Sequence, residues 1–139
     1  MSWFTKGDFI SVLLDTSYLL AFYSLDDDNN NSATELAKEI TEGTFGTSSI
    51  SDYIFDEAIT LLKKHVGHKR ANEIGDYFLN SSSFYRVDQQ VFAASWSLSK
   101  KFERLSFTDC SNIALMRHYN IDYLATFDSG FNGIVKVLR

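Results

Sequence analysis

A chain of 139 residues with 45% hydrophobic and 22% charged side chains accommodates one domain with a sizeable core and excludes an intrinsically disordered protein. One cysteine, Cys110, excludes an internal disulfide scaffold, and the lack of proline with only 7 glycines excludes collagen-like and proline-rich classes. The net charge of −5 argues against a protein that coats nucleic acid non-specifically, because that affinity comes from neutralising phosphates.

Residues 9–14 form a short apolar run, the pattern of a strand buried on both faces of a parallel sheet, and a second such run occupies residues 45–49. Two helical segments lie between them. The later one is signed by Ser32 and Glu35 as a capping box, by Ala33, Leu36, Ala37 and Ile40 as an apolar stripe, and by Gly43 as a stop. Ser51 is the predicted cap of a third helix with Ile54, Ala58, Leu61 and Leu62 on one side, ending near Val66 before Gly67. A helix over residues 68–79, a polar turn at 80–83 and a strand at 84–87 follow. Asp88 then opens a helix that places Val91, Phe92, Ser95, Trp96, Leu98 and Phe102 on one face. Thr108 is the predicted cap of the last helix, which buries Ile113, Ala114 and Met116 before Asn120. Strands at 121–126 and 134–138 complete the chain. Strands alternating with helices or helix pairs imply right-handed crossovers, and so an α/β fold: a single-domain, three-layer α/β/α sandwich over residues 1–139 with a parallel sheet.

Ligands of open α/β sheets bind in the crevice outside the carboxyl ends of the strands. Asp15 directly follows the first predicted strand, and Asp128 stands two residues after Thr126 at the end of the fourth. Asp109 falls in the first turn of the last helix. Glu57 sits in the second turn of the third helix, and its side chain leans back toward the same edge. Singly, each acid also suits a structural role: Asp15 as a turn former, Asp109 against a helix dipole. Together they predict a convergence of four carboxylates, which repel unless a cation sits among them. Oxygen ligands without cysteine or histidine favour Mg²⁺ or Mn²⁺, and such a site suits metal-assisted hydrolysis of a phosphate ester.

Four segments, Leu13-Leu14-Asp15-Thr16-Ser17, Asp56-Glu57-Ala58-Ile59-Thr60-Leu61-Leu62, Ser106-Phe107-Thr108-Asp109-Cys110-Ser111 and Ala125-Thr126-Phe127-Asp128-Ser129-Gly130-Phe131, resemble in that order the acidic motifs of PIN-domain nucleases. That group includes the VapC-type toxins of toxin–antitoxin pairs, and the resemblance runs from about Phe9 onward. It implies a strand order of 3-2-1-4-5 and Mg²⁺- or Mn²⁺-dependent endonucleolytic cleavage of RNA. It further implies Asp15, Asp109 and Asp128 as metal ligands, with Glu57 binding metal directly or through water and orienting the attacking water. Thr126 and Ser111 match polar positions that hydrogen-bond such a site. A small antitoxin with a basic side chain in the cleft and a homodimer are also implied. Two features depart from the family pattern: the acidic loop Asp26-Asp27-Asp28-Asn29-Asn30-Asn31, beside the expected RNA cleft, and the extra residues 1–8.

Other readings are weaker. An EF-hand over the Asp26 loop fails because Asn31 stands in place of the required glycine and Ala37 in place of the bidentate glutamate. His65 and His68 read as exposed helix-end residues rather than a zinc pair, and Cys110 as a packing residue. Tyr18, Phe22 and Tyr23 stand near the first acid as candidate contacts for a base or a partner helix. A phosphatase working through a phospho-aspartate needs a second acid where this chain has Ser17. A PIN-like fold kept as a non-catalytic RNA- or protein-binding module is the opposite alternative. The first 60 residues carry 2 basic side chains against 11 acids and the rest 11 against 7; Lys63-Lys64, Lys69-Arg70 and Lys100-Lys101 with Arg104 are candidate grips on a polyanion, although any one of them reads more readily as a solvated helix face. No run is long enough to span a bilayer, and residues 1–8 lack the basic-then-apolar order of an export signal, so the expected location is the cytoplasm.

Overall fold

The structure, a computed structural model, describes residues 10–81 and 83–139. Phe9 of the first predicted strand, Ser82 of the predicted turn and the extra residues 1–8 lie outside the described residues.

Strand β1 (Ser11–Leu14) is central, with Val12 and Leu13 fully buried although they point to opposite faces, as a doubly covered strand requires. It pairs in parallel with β2 (Thr47–Ser51) and β4 (Tyr123–Ala125), with Leu13 opposite Ser49 on one side and Leu124 on the other. Strands β3 (Ser83–Tyr85) and β5 (Val137–Leu138) form the edges, giving the expected order β3-β2-β1-β4-β5. Helices α1 (Thr16–Tyr23), α2 (Asn30–Thr41), α3 (Asp52–Val66) and α4 (His68–Ser81) pack on one another, and α5 (Gln89–Lys101) packs on α6 (Phe107–Tyr119). The chain moves outward from β1 to β3 and then crosses back to β4. Right-handed crossovers therefore put these two helix groups on opposite faces, and the three-layer sandwich follows.

Several element boundaries differ from expectation for identifiable reasons. β2 begins at Thr47 rather than residue 45 because Gly46, at φ +76°, passes so close to the Ile10 carbonyl that a Cβ would lie 1.7 Å from its oxygen. Only beyond it does the Thr47 amide reach the Ile10 carbonyl, at 3.1 Å. The capping box at Ser32 does not form: α2 starts at Asn30, whose side-chain amide donates to the Ala21 carbonyl at 2.9 Å and so ties the helix start to the end of α1. Glu35 instead faces Lys38 at 3.7 Å. Helix α6 is capped by Ser106, not Thr108, and α4 runs on through Ser81. Ser51 and Asp88 cap α3 and α5 as expected, accepting from the Ile54 and Val91 amides at 3.1 and 2.9 Å. On α5 the buried residues are Val91, Ser95 and Leu98, whereas Phe92 and Trp96 are 48% and 54% exposed.

Candidate active site

The sheet reverses its direction of growth at β1 and β4, so the crevice above their carboxyl ends is the topological switch point. Asp15 follows β1 directly and is 2% exposed; its amide donates to the Ala125 carbonyl at 3.0 Å, which fixes it against β4. Three side chains donate to its carboxylate. The Thr126 hydroxyl reaches Oδ2 at 2.6 Å, the Ser17 hydroxyl the same oxygen at 3.0 Å, and the Asn112 amide Oδ1 at 3.0 Å. Burial nonetheless raises the Asp15 pKa above the usual carboxylate range, opposed by the Thr126 and Ser17 hydroxyls and the Thr16 amide and assisted by the negative charge of Glu57.

Thr126 and Ser17 each do two jobs. With their hydroxyl protons directed at Asp15, their oxygens accept from the amides of Asp128 and Phe127 at 3.1 and 2.9 Å. The chain leaving β4 is thereby shaped around the first acid. Asp128 caps a single 3₁₀ turn at Ser129–Phe131 and accepts from the Gly130 amide at 2.8 Å. That turn was not expected from the sequence, and β4 ends one residue earlier than foreseen, at Ala125.

Asp109 closes a capping box: its amide donates to the Ser106 hydroxyl at 3.0 Å and its carboxylate accepts from the Ser106 amide at 3.1 Å. Burial, with Asp15 and Asp128 adding repulsion, pushes its pKa up to about 6. Glu57 is half-buried in the second turn of α3, where the buried neighbours Ile54 and Ala58 set the rotation of the helix.

Asp15, Glu57, Asp109 and Asp128 all line one cleft of about 310 Å³, together with Thr16, Ser17 and Ser106. Asp15, Asp109 and Asp128 are each tied to their own local donors, and among the described residues no three Asp, Glu, His or Cys side chains close into a ready-made metal cage. No described Lys, Arg or His forms an ion pair with any of the four; the described pairs are Lys38 with Glu35, Arg70 with Glu73, and Arg86 with Asp52. The Thr16 hydroxyl at the cleft and the Asn112 carbonyl oxygen behind it are buried without a hydrogen-bond partner. An all-oxygen donor set bearing uncompensated negative charge fits a hard divalent cation.

The sequence matches the PIN domain family model over residues 12–137. This chain belongs to the PIN domain family. Several solved structures carry the same fold. The chain is similar to VapC20 of Mycobacterium tuberculosis, a toxin that cleaves the sarcin–ricin loop, at 26% identity and TM-score 0.78, covering 91% of this chain and 98% of that one. In fold it is also similar to a toxin–antitoxin complex from Klebsiella pneumoniae (21% identity, TM-score 0.64, 92% and 96% coverage). VapBC2 of Rickettsia felis, bound to a DNA fragment of its promoter, matches likewise (14%, TM-score 0.67, 93% and 98%). No curated protein sequence matches the chain.

Other sequence-derived candidates behave differently in this PIN domain. The Ser111 hydroxyl donates to the Thr108 carbonyl at 2.6 Å, and Ser111 is not among the residues that line the cleft. Tyr18 is buried, and its ring stacks on Phe22, which meets Tyr23 edge-on; Phe22 and Tyr23 are half-buried and pack against the core. Burial pushes the Tyr18 phenol up to about 12. Cys110 is buried, and His65 and His68 are exposed at helix ends, as expected. The acidic loop and His65 border a separate cavity that shares only Leu20 with the cleft. Asn112 and Ser106 were missed. Asn112 lies three residues after Asp109 on α6, a spacing that puts both on one helix face and was the available signal.

Proposed function

We propose that this PIN domain is a divalent-metal-dependent endoribonuclease and the toxin of a toxin–antitoxin pair. The observation that carries the reading is a single cleft at the switch point lined by four carboxylates with no described basic side chain paired to any of them. Asp15, Asp109 and Asp128 would hold Mg²⁺ or Mn²⁺, with Glu57 as a fourth ligand directly or through water. The bound cation would polarise the scissile phosphate and offset charge as the P–O bond breaks. The chain's own groups then have distinct roles. Glu57, the acid reached from the opposite side by α3, orients the attacking water and accepts its proton. Thr126, Ser17 and Asn112 hold the Asp15 carboxylate at fixed orientation.

The neighbouring toxin–antitoxin structures support an antitoxin partner, and the uncompensated acids of the cleft suit a basic side chain from it. A homodimer accords with the exposed Tyr77 and Leu79 on α4. No described helix is long and apolar enough to cross a membrane, which agrees with a cytoplasmic location.

The test is Mn²⁺-dependent cleavage of varied RNAs by the wild type and by Asp15→Asn. The variant is expected to lose about 10²–10³-fold in rate, the loss typical of removing one charge-stabilising group. Inert wild-type protein would leave the non-catalytic binding module as the surviving reading, and a variant that cleaves equally well would refute catalysis by the acid cleft.

A further inference from the structure

We propose that Phe107, Phe92 and Trp96 form a stacking strip for unpaired bases of the RNA strand whose phosphate enters the acid cleft. The inference rests on the nuclease reading above and extends it to the form of the substrate.

The strip starts at the acids. Phe107 stands between Ser106, which lines the cleft, and Asp109, two residues on. Its ring lies 6.2 Å from that of Tyr53, one helical turn before Glu57 on α3. On its other side it lies 5.2 Å from Phe92, with the planes inclined at 54°. Trp96 follows one turn later on the same face of α5, and Lys100 one turn later again, its ammonium 5.9 Å from the Trp96 ring centroid. A row of rings thus leads from two of the four acids to a cation about 12 Å along α5 from Phe92.

The exposure of this row is its second informative feature. An amphipathic helix ordinarily turns its largest apolar residues inward, yet Phe92 and Trp96 are 48% and 54% exposed while Val91, Ser95 and Leu98 fill the contact with the core. A neutral apolar helix docking here would bury the ring faces and strand the Lys100 charge. A single nucleic-acid strand uses both, because its bases offer π faces and its phosphates offer anions. Paired strands hold their bases stacked inside the helix, so the strip favours unpaired RNA and, since every base has a π face, favours no particular sequence.

The experiment is fluorescence anisotropy with the full chain carrying Asp15→Asn to prevent cleavage, Mg²⁺ present, and two probes: labelled oligouridylate, and the same strand paired with oligoadenylate. The unpaired probe is expected to bind more tightly than the duplex and to quench the Trp96 share of the tryptophan emission. Adding Phe92→Leu and Trp96→Leu, which keeps apolar bulk and removes the rings, is expected to raise Kd for the unpaired probe roughly tenfold or more, at unchanged melting temperature. Equal affinity with and without the rings overturns the proposal, as does a preference for duplex or no binding of the unpaired probe. If the leucine variant alters only the sedimentation coefficient, the strip is a protein interface and the proposal falls. These readouts need no catalysis, so they stand apart from the cleavage assay that tests the nuclease reading.

Discussion

At 2% exposure Asp15 is the most buried acid of the cleft, and it is tolerated there because three neutral donors converge on it. Thr126→Val keeps the shape of the side chain and removes the closest of those donors. Because the carboxylate stays buried with one partner fewer, unfolding free energy is expected to fall by about 1–3 kcal/mol, measured by denaturant titration. Metal affinity is expected to weaken in the same variant, since the carboxylate is harder to ionise and free to rotate. The identities of the acids at this site were legible in the sequence because each stands at a place set by chain topology: directly after a strand, just beyond one, or near a helix start. The donors were less legible. Thr126 was visible through its position two residues before Asp128, but the role of Asn112 depends on which face α6 turns to β1, and that rotation is decided by tertiary packing. Ser111 shows the same limit from the other side, being buried in the right turn but bonded to its own helix backbone.

Apolar stripes and cap residues mark α2, α3, α5 and α6 in the sequence, and the differences fall where a contact outside the element won over local preference. Apolar character alone predicts Phe92 and Trp96 inward, whereas α5 packs through Val91, Ser95 and Leu98. Ser106 was passed over for Thr108 although Asp109 stands three residues after it, the spacing of the box that forms. Removing the hydroxyl half of that box by Ser106→Ala is expected to cost about 1 kcal/mol of stability, measured by thermal unfolding, while the Asp109 carboxylate keeps its bond from the backbone amide of residue 106. A sharper contrast is available at the entry to β2. Gly43 and Gly46 both have positive φ, at +83° and +76°, so alanine is strained at either by roughly 1–2 kcal/mol. Only at Gly46 does the added methyl meet the Ile10 carbonyl carbon at 2.4 Å and its oxygen nearer still. Gly46→Ala is therefore expected to separate β1 from β2 at its lower end and to yield far less folded protein than Gly43→Ala, as judged by circular dichroism of the purified variants.

Across the whole molecule, the electrostatic design couples folding to the proposed metal. Folding brings Asp109 to a pKa of about 6 and raises Asp15 as well, while carboxyls of an unfolded chain titrate near 3.8. Between those limits the metal-free native state binds more protons than the unfolded chain, so these groups make stability fall as pH rises through about 4 to 6. The melting temperature of chelator-treated protein is thus expected to climb when pH is lowered from 7 to 5, opposite to the behaviour of an acid held ionised by a salt bridge. A bound cation reverses the preference by favouring the ionised carboxylates. Added Mn²⁺ should accordingly raise the melting temperature strongly at pH 7 and little at pH 5, where protons already occupy the site. Scanning calorimetry across this pH range with and without Mn²⁺ reads both effects at once. A pH profile that is flat in chelator, with no lift from the metal at pH 7, would mean that the four acids carry no mutual strain for a cation to relieve. The hydrolytic reading would then lose its physical basis, even though the fold and the family would stand.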